Sequence, residues 1–273
     1  MFEIQQRQSK LVAAFMMMQV IYHATARSVR KTHANAFAAL LINMFQVMVL
    51  VATFYVMFGI LGLRGSALRG DFLVYIMSGI FIFMTNTKTL GAVVGSEGPA
   101  SPMMQHAPMN TFVAIISAAL GALYIQLFSV FVVLFIYHVA VTPVEIDQPV
   151  ATFSMVLLGW FNGASLGLIF LALKPWFPQF TSVASTVYTR ANMIASGKMF
   201  VANTLPFYVL VFFSWNPLFH IIDQARGFAF INYNPHHSSW MYPLLVSVAF
   251  TLIGFMGESY TRKHASISWD ARR

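Results

Sequence analysis

The chain has 273 residues, 58% hydrophobic and 9% charged, with 16 Lys and Arg against 8 Asp and Glu and no cysteine. A soluble domain usually carries about 25% charged residues, and a mean hydropathy of +0.70 with long charge-free stretches requires lipid as the solvent. The composition therefore argues against a soluble enzyme and for an all-α polytopic membrane protein. Disulfides, thiolate metal sites and cysteine nucleophiles are excluded, and the net charge of +8 is read first as an orientation signal, not as affinity for nucleic acid.

In chain order, Arg7 and Lys10, the apolar run 11–22 and the triplet Ala24-Thr25-Ala26 imitate a cleavable signal peptide. The run is too short to span, and Leu11, Phe15, Met18, Tyr22, Thr25 and Val29 recur at helical spacing. This predicts a helix over 5–33 lying in the cytoplasmic interface, with Arg27, Arg30 and Lys31 towards headgroups. Spans are predicted at 36–63, 72–90, 111–138 and 151–173, each separated from the next by charge, Pro or Gly. A fifth, 178–200, is more polar, carrying Thr181, Ser182, Ser185, Thr186, Thr189, Arg190 and Asn192. The last, 240–257, ends at Glu258 and precedes a basic tail.

The stretch 201–222 is long and apolar enough for a seventh crossing but is interrupted by Asn203, Pro206 and Trp215-Asn216-Pro217. Charge decides. With six spans and a cytoplasmic N-terminus, the inside holds Arg7, Lys10, Arg27, Arg30, Lys31, Lys88, Lys174, Arg262, Lys263, Arg272 and Arg273. The outer loops hold only Arg64, Arg69, Lys198 and Arg226, as the positive-inside rule requires. A seventh crossing would put the tail outside, so 201–222 is read as a re-entrant pair of outer half-helices broken at Asn216-Pro217. Residues 1–273 form a single transmembrane domain on this reading.

No phosphate-binding Gly-x-x-x-x-Gly-Lys-Ser/Thr occurs; the nearest fragment is Gly197-Lys198. His236-His237 are adjacent in a polar outer loop without the further ligands a metal site needs, so no metal site is predicted. Ser78-Gly79 and Ser165-Leu166-Gly167 read as small-residue helix contacts. Arg190 stands out, because an arginine inside a span faces a bundle interior, a wet cavity or a partner acid unless it snorkels to an interface. With Tyr188, Thr186, Ser182 and Asn192 it makes a polar surface suited to a hydroxyl-rich or anionic solute. Phe200, Tyr208, Phe212, Phe213 and Trp215 offer faces for sugar rings, although lipid-facing side chains and an interfacial belt account for most of the 27 phenylalanines.

Ser196-Gly197-Lys198-Met199-Phe200, Leu205-Pro206, Trp215-Asn216-Pro217-Leu218, His220 and Arg226, in that order, resemble the membrane subunit of ABC-2 type exporters, and within these the capsular polysaccharide export permeases. In that family a Leu-Gly-x-x-Trp and a Pro commonly open the first span, whereas 34–46 here has neither Gly, Trp nor Pro. The resemblance implies a homodimeric inner-membrane permease with both termini cytoplasmic, moving a polysaccharide with the work of two copies of a separate ATPase that carries the ATP and Mg. It also implies periplasmic and outer-membrane partners. The 87–110 loop, with Lys88 and Glu97, would receive force together with Arg27, Arg30 and Lys31. Other cargoes, namely O-antigen, another lipid-linked glycan, a drug or a lipid, fit the same framework. A membrane enzyme acting on lipid-linked sugars would have only Asp223 and the histidine pair for acid–base work.

Overall fold

The computed structural model describes residues 10–31, 36–60, 62, 71–98 and 110–264. Arg64, Arg69, the stretch 99–109 of the 87–110 loop, and Arg272 and Arg273 lie outside these. The described residues are all-helical, without strands: α1 (Lys10–Lys31), α2 (Ala36–Ile60), α3 (Phe72–Val94), α4 (Thr111–Ala140), α5 (Pro149–Leu173), α6 (Pro178–Ala195), α7 (Phe207–Phe213), α8 (Pro217–Ala229) and α9 (Met241–His264). Five of them, α2, α3, α4, α5 and α9, are long and apolar enough to cross a membrane, which makes this a multi-pass membrane protein. The polar 18-residue α6 is not among them.

Local chemistry sets the helix starts. The side chains of Asp71, Asn110 and Asn216 accept from the backbone N–H two residues on, at 2.9, 3.0 and 3.1 Å, satisfying donors that a helix leaves open. Pro149, Pro178 and Pro217 occupy first-turn positions, where a missing N–H costs nothing. Several ends differ from expectation: α3 runs to Val94, not 90, and α9 to His264, not 257. The predicted span 178–200 stops as helix at Ala195, because Gly197 adopts φ +74°, a conformation that side chains avoid. The broken segment does divide at Asn216-Pro217, but α8 runs on to Ala229, past the expected limit of 222.

Within the bundle α3 is central. Its most apolar 18-residue window is 83% buried against 28% for α2, so α2 presents most of its surface outward while α3 is enclosed by α2, α4, α5 and α8. The α3–α5 crossing is tight enough that a Cβ on Gly163 would lie 2.3 Å from the Asn86 carbonyl oxygen. There Asn86 Nδ2 donates to Gly159 O and Asn162 Oδ1, both at 3.0 Å, and Asn162 Nδ2 donates to Ser247 Oγ at 3.0 Å, tying α3, α5 and α9 together. A second link joins α2 to α4, where Asn43 Nδ2 donates to Gln126 Oε1 at 2.5 Å and to Ser129 Oγ at 2.8 Å. In an apolar surround such amide contacts fix rotation and register, which dispersion alone sets loosely.

At the other end of α4, Asp71 accepts from Tyr137 and Thr142 as well as from its own cap. Burial alone would raise the Asp71 carboxyl; the hydrogen bonds from Tyr137, Thr142 and the Leu73 and Val74 amides outweigh it and hold the group below its ordinary value of 3.8. A folded-state pKa that is lowered gives stability that is complete above 3.8 and is lost as pH falls through the folded value. The melting midpoint should therefore fall more steeply for the wild type as pH drops below 3.8 than for Asp71→Asn, which keeps an acceptor at the cap. Parallel acid profiles would show that Asp71 carries none of this dependence.

Candidate functional site

The last turn of α3, at Leu90, Gly91 and Val94, and α6 from Pro178 to Arg190 bound a groove of about 500 Å³. Helical spacing gives α6 two faces. Phe180, Val183, Val187 and Ile194 lie exposed on one, while Ser182, Ser185, Thr186, Thr189 and Arg190 line the groove on the other, with Lys174 at the end of α5. The Ser185, Thr186 and Thr189 hydroxyls donate to backbone carbonyls three or four residues back at 3.1, 2.8 and 2.9 Å, so their oxygens remain as acceptors. Lys174 Nζ donates to Val94 O at 3.1 Å, and Arg190 is exposed, with no described side chain as a partner. No carboxylate lines the groove among the described residues. Two cations above a row of hydroxyl acceptors can hold a solute rich in hydroxyl groups and negative charge.

Of the side chains predicted for a path, Ser182, Thr186 and Arg190 meet in this groove. Tyr188 is half-buried and does not line it. Asn192 is buried, accepting from Asn216 Nδ2 at 2.7 Å, so it braces the start of α8. The aromatic set divides: Phe200 packs on Phe213 with centroids 5.0 Å apart, and Phe213 on Phe219 at 6.1 Å, whereas Tyr208 and Trp215 are exposed. Lys174, Ser185 and Thr189 were missing from the predicted set; the spacing 182-185/186-189, opposite the apolar face of Phe180, Val183 and Val187, was the available signal. Of the residues expected to receive force, Arg27 is exposed on α1, and Lys88 lies on α3 with Nζ donating to Gln46 Oε1 at 2.5 Å. Arg27, Lys88 and Glu97 line a separate cavity between α1 and α4. The side chains of Arg30 and Lys31 lie outside the described residues.

The motif residues assemble a buried joint beside the groove. Lys198 and Arg226, expected in outer loops, are only 2% and 1% exposed. Arg226 donates to three carbonyls of the turn after α6, Gly197 O at 2.8 Å, Lys198 O at 2.6 Å and Phe200 O at 2.6 Å, with its guanidinium 4.2 Å from the Tyr75 ring centroid. The Lys198 side chain lies over Phe83, Nζ 3.6 Å from the ring centroid. Charge counting treated both as solvated cations; here carbonyls and ring faces take the place of water. Ser196 is fully buried at the end of α6 and exposed Pro206 precedes α7.

Asp223 is saturated in the same region, accepting from Tyr233 at 2.5 Å, Ser238 at 2.6 Å and the Ala202 amide at 3.3 Å. Burial first, then the charge of Asp223 and the hydrogen bond to it, push the Tyr233 phenol far above its ordinary value. His220 accepts from the Ser239 amide at Nδ1, 3.1 Å, so Nε2 carries the proton and donates to Ser214 O at 2.8 Å. Burial lowers its pKa against the opposing Ser214 contact and Asp223 charge. Both groups act as braces, and neither lines the groove on α6.

No family model matches the chain. It is similar to the polysialic acid transport protein KpsM of Escherichia coli, 24% identical over 191 residues that cover 67% of this chain and 71% of that protein. The resemblance carried by residues 190–226 is thus joined by one reaching over two thirds of the sequence, and the chain is a distant homologue of a bacterial polysaccharide transport protein.

Proposed function

We propose that this chain is the permease subunit of an ABC-2 type exporter that moves a capsular or related anionic polysaccharide across the bacterial inner membrane. The observation that carries the reading is the groove on α6, cationic and hydroxyl-lined, with no carboxylate among its described lining. A helix bearing Arg190 and a stripe of hydroxyls is costly against hydrocarbon, and a wet path for an anionic glycan relieves that cost. Similarity to a protein named for polysialic acid transport supports the cargo class.

On this reading α6 is the sixth crossing, α7 and α8 form the re-entrant segment on the outer side, and both termini are cytoplasmic. The permease works as a homodimer with two copies of an ATPase subunit that binds ATP and Mg, and with periplasmic and outer-membrane export proteins. Saturation of Asp223 disfavours an enzyme acting on lipid-linked sugars.

The test is Arg190→Ala. Surface polysaccharide should fall roughly tenfold, the order of one charge-assisted contact, while membrane insertion and co-purification with the ATPase are retained. Normal export would remove Arg190 from the path, and export by the permease alone in liposomes without ATP would overturn the exporter assignment.

A further inference from the structure

A second cavity, larger than the groove on α6, lies between α1, α2, α3 and α4 and holds about 1220 Å³. Sites that enclose a drug-sized molecule are about 300–1,000 Å³. The cavity exists because α1 packs along α4 and stands away from α3. Ser117 Oγ donates to Ile21 O at 3.3 Å, and a Cβ on Gly121 would meet Ser28 Oγ at 3.3 Å, whereas one on Gly91 across the gap meets nothing within 4 Å. Along α4 the lining runs from Asn110 to Gln126, roughly 24 Å at 1.5 Å per residue. Small apolar residues such as Ala114, Ala118 and Ala122 form much of the wall.

The polar part of the lining mixes amides and hydroxyls with a small set of charged side chains, in which cations outnumber carboxylates. Arg27 comes from α1 and Lys88 from α3, with His23 near Arg27 in sequence and Glu97 the one carboxylate in the lining. Gln126 is 1% exposed; its Oε1 is taken by Asn43, while Nε2 has no partner. An orphaned buried donor is costly. An apolar void stays dry at about 150 Å³; one eight times larger is filled, and water alone would leave the alkyl wall unsolvated. An occupant that satisfies both kinds of surface has an anionic head for the cations and a hydrocarbon tail for the wall. The membrane can supply it directly, because α1 carries exposed Phe15, Met18 and Tyr22 beside the cavity, as a helix lying in the lipid interface does.

We propose that this cavity is a binding site for one anionic glycerophospholipid, its phosphate held by Arg27 and Lys88 and an acyl chain laid along Ala114, Ala118 and Ala122. The site is separate from the groove on α6 and does not depend on the cargo assignment; the orientation proposed above enters only in naming the inner leaflet as the source.

The test uses the full chain, purified and delipidated, titrated by native mass spectrometry with phosphatidylglycerol and with phosphatidylcholine of the same chains. The wild type should bind phosphatidylglycerol about tenfold more tightly, the order set by two basic side chains near an anionic head. Equal affinities would overturn the proposal without any variant. Arg27→Gln with Lys88→Gln should abolish the preference, and Ala118→Phe, which keeps both charges, should weaken both lipids together. Retained preference in the double variant would show that other residues hold the head. Displacement of the bound lipid by glycerol phosphate at equal concentration would show that the chains contribute nothing and would equally overturn a lipid site.

Discussion

Arg226→Ala is expected to destabilise the protein by about 3–5 kcal/mol, since three carbonyls lose a charged donor inside a region closed to water. Gly197 O, Lys198 O and Phe200 O are all within 2.8 Å of the guanidinium, and neighbouring backbone cannot rotate to replace it because each carbonyl belongs to one tight turn. Relief of repulsion from Lys198 works in the opposite direction but is small, because that side chain runs away over Phe83. Arg226→Lys should recover only part, as an ammonium cannot bridge three acceptors with a planar fork. In detergent the melting midpoint should fall by roughly 10 °C, and an unchanged midpoint in Arg226→Ala would mean the turn is held by something else. Export should fall with stability, because the turn joins the groove helix α6 to α7.

Gly163→Val is expected to prevent assembly of the bundle. Its Cβ would stand 2.3 Å from Asn86 O and 3.0 Å from Asn86 Cα, and both sides of the clash are backbone, so no rotamer relieves it. Reaching ordinary contact means parting α3 and α5 by about 1 Å, which also breaks the Asn86–Asn162–Ser247 chain. The cost is about 3 kcal/mol or more, at or beyond the usual range for overpacking. Gly91→Ala is the internal control, with nothing within 4 Å of its Cβ, and should leave stability unchanged or raise it by up to about 1 kcal/mol. The measurement is the yield of monodisperse protein after extraction; equal yields from the two variants would contradict the crossing described here.

Much of the helical inventory was legible because length and hydropathy suffice to mark α2, α3, α4, α5 and α9, and Asn216-Pro217 announces a cap and a first turn. The centrality of α3 was not legible. In lipid a helix that faces its neighbours and one that faces acyl chains are both apolar, and exposed Phe45 of α2 reads no differently from buried Phe81 of α3. The joint around Arg226 was hidden for another reason. A basic residue in a polar-looking segment is taken as solvated, and the carbonyls that bind it belong to a turn almost thirty residues earlier. For the groove, the hydroxyl stripe and Arg190 were visible, but Lys174 enters only because α5 ends where α6 begins, and Asn192 looks like part of the stripe while turning towards α8.

The position of α8 constrains biogenesis. This segment is about 20 Å long and fully enclosed at Leu218, Ile221, Ile222 and Ala225 by helices made much earlier. A ribosome that has released only the first 216 residues leaves the face that α3 and α5 present to α8 uncovered. That face must therefore be shielded by lipid or by the insertion machinery until α8 emerges and folds onto it.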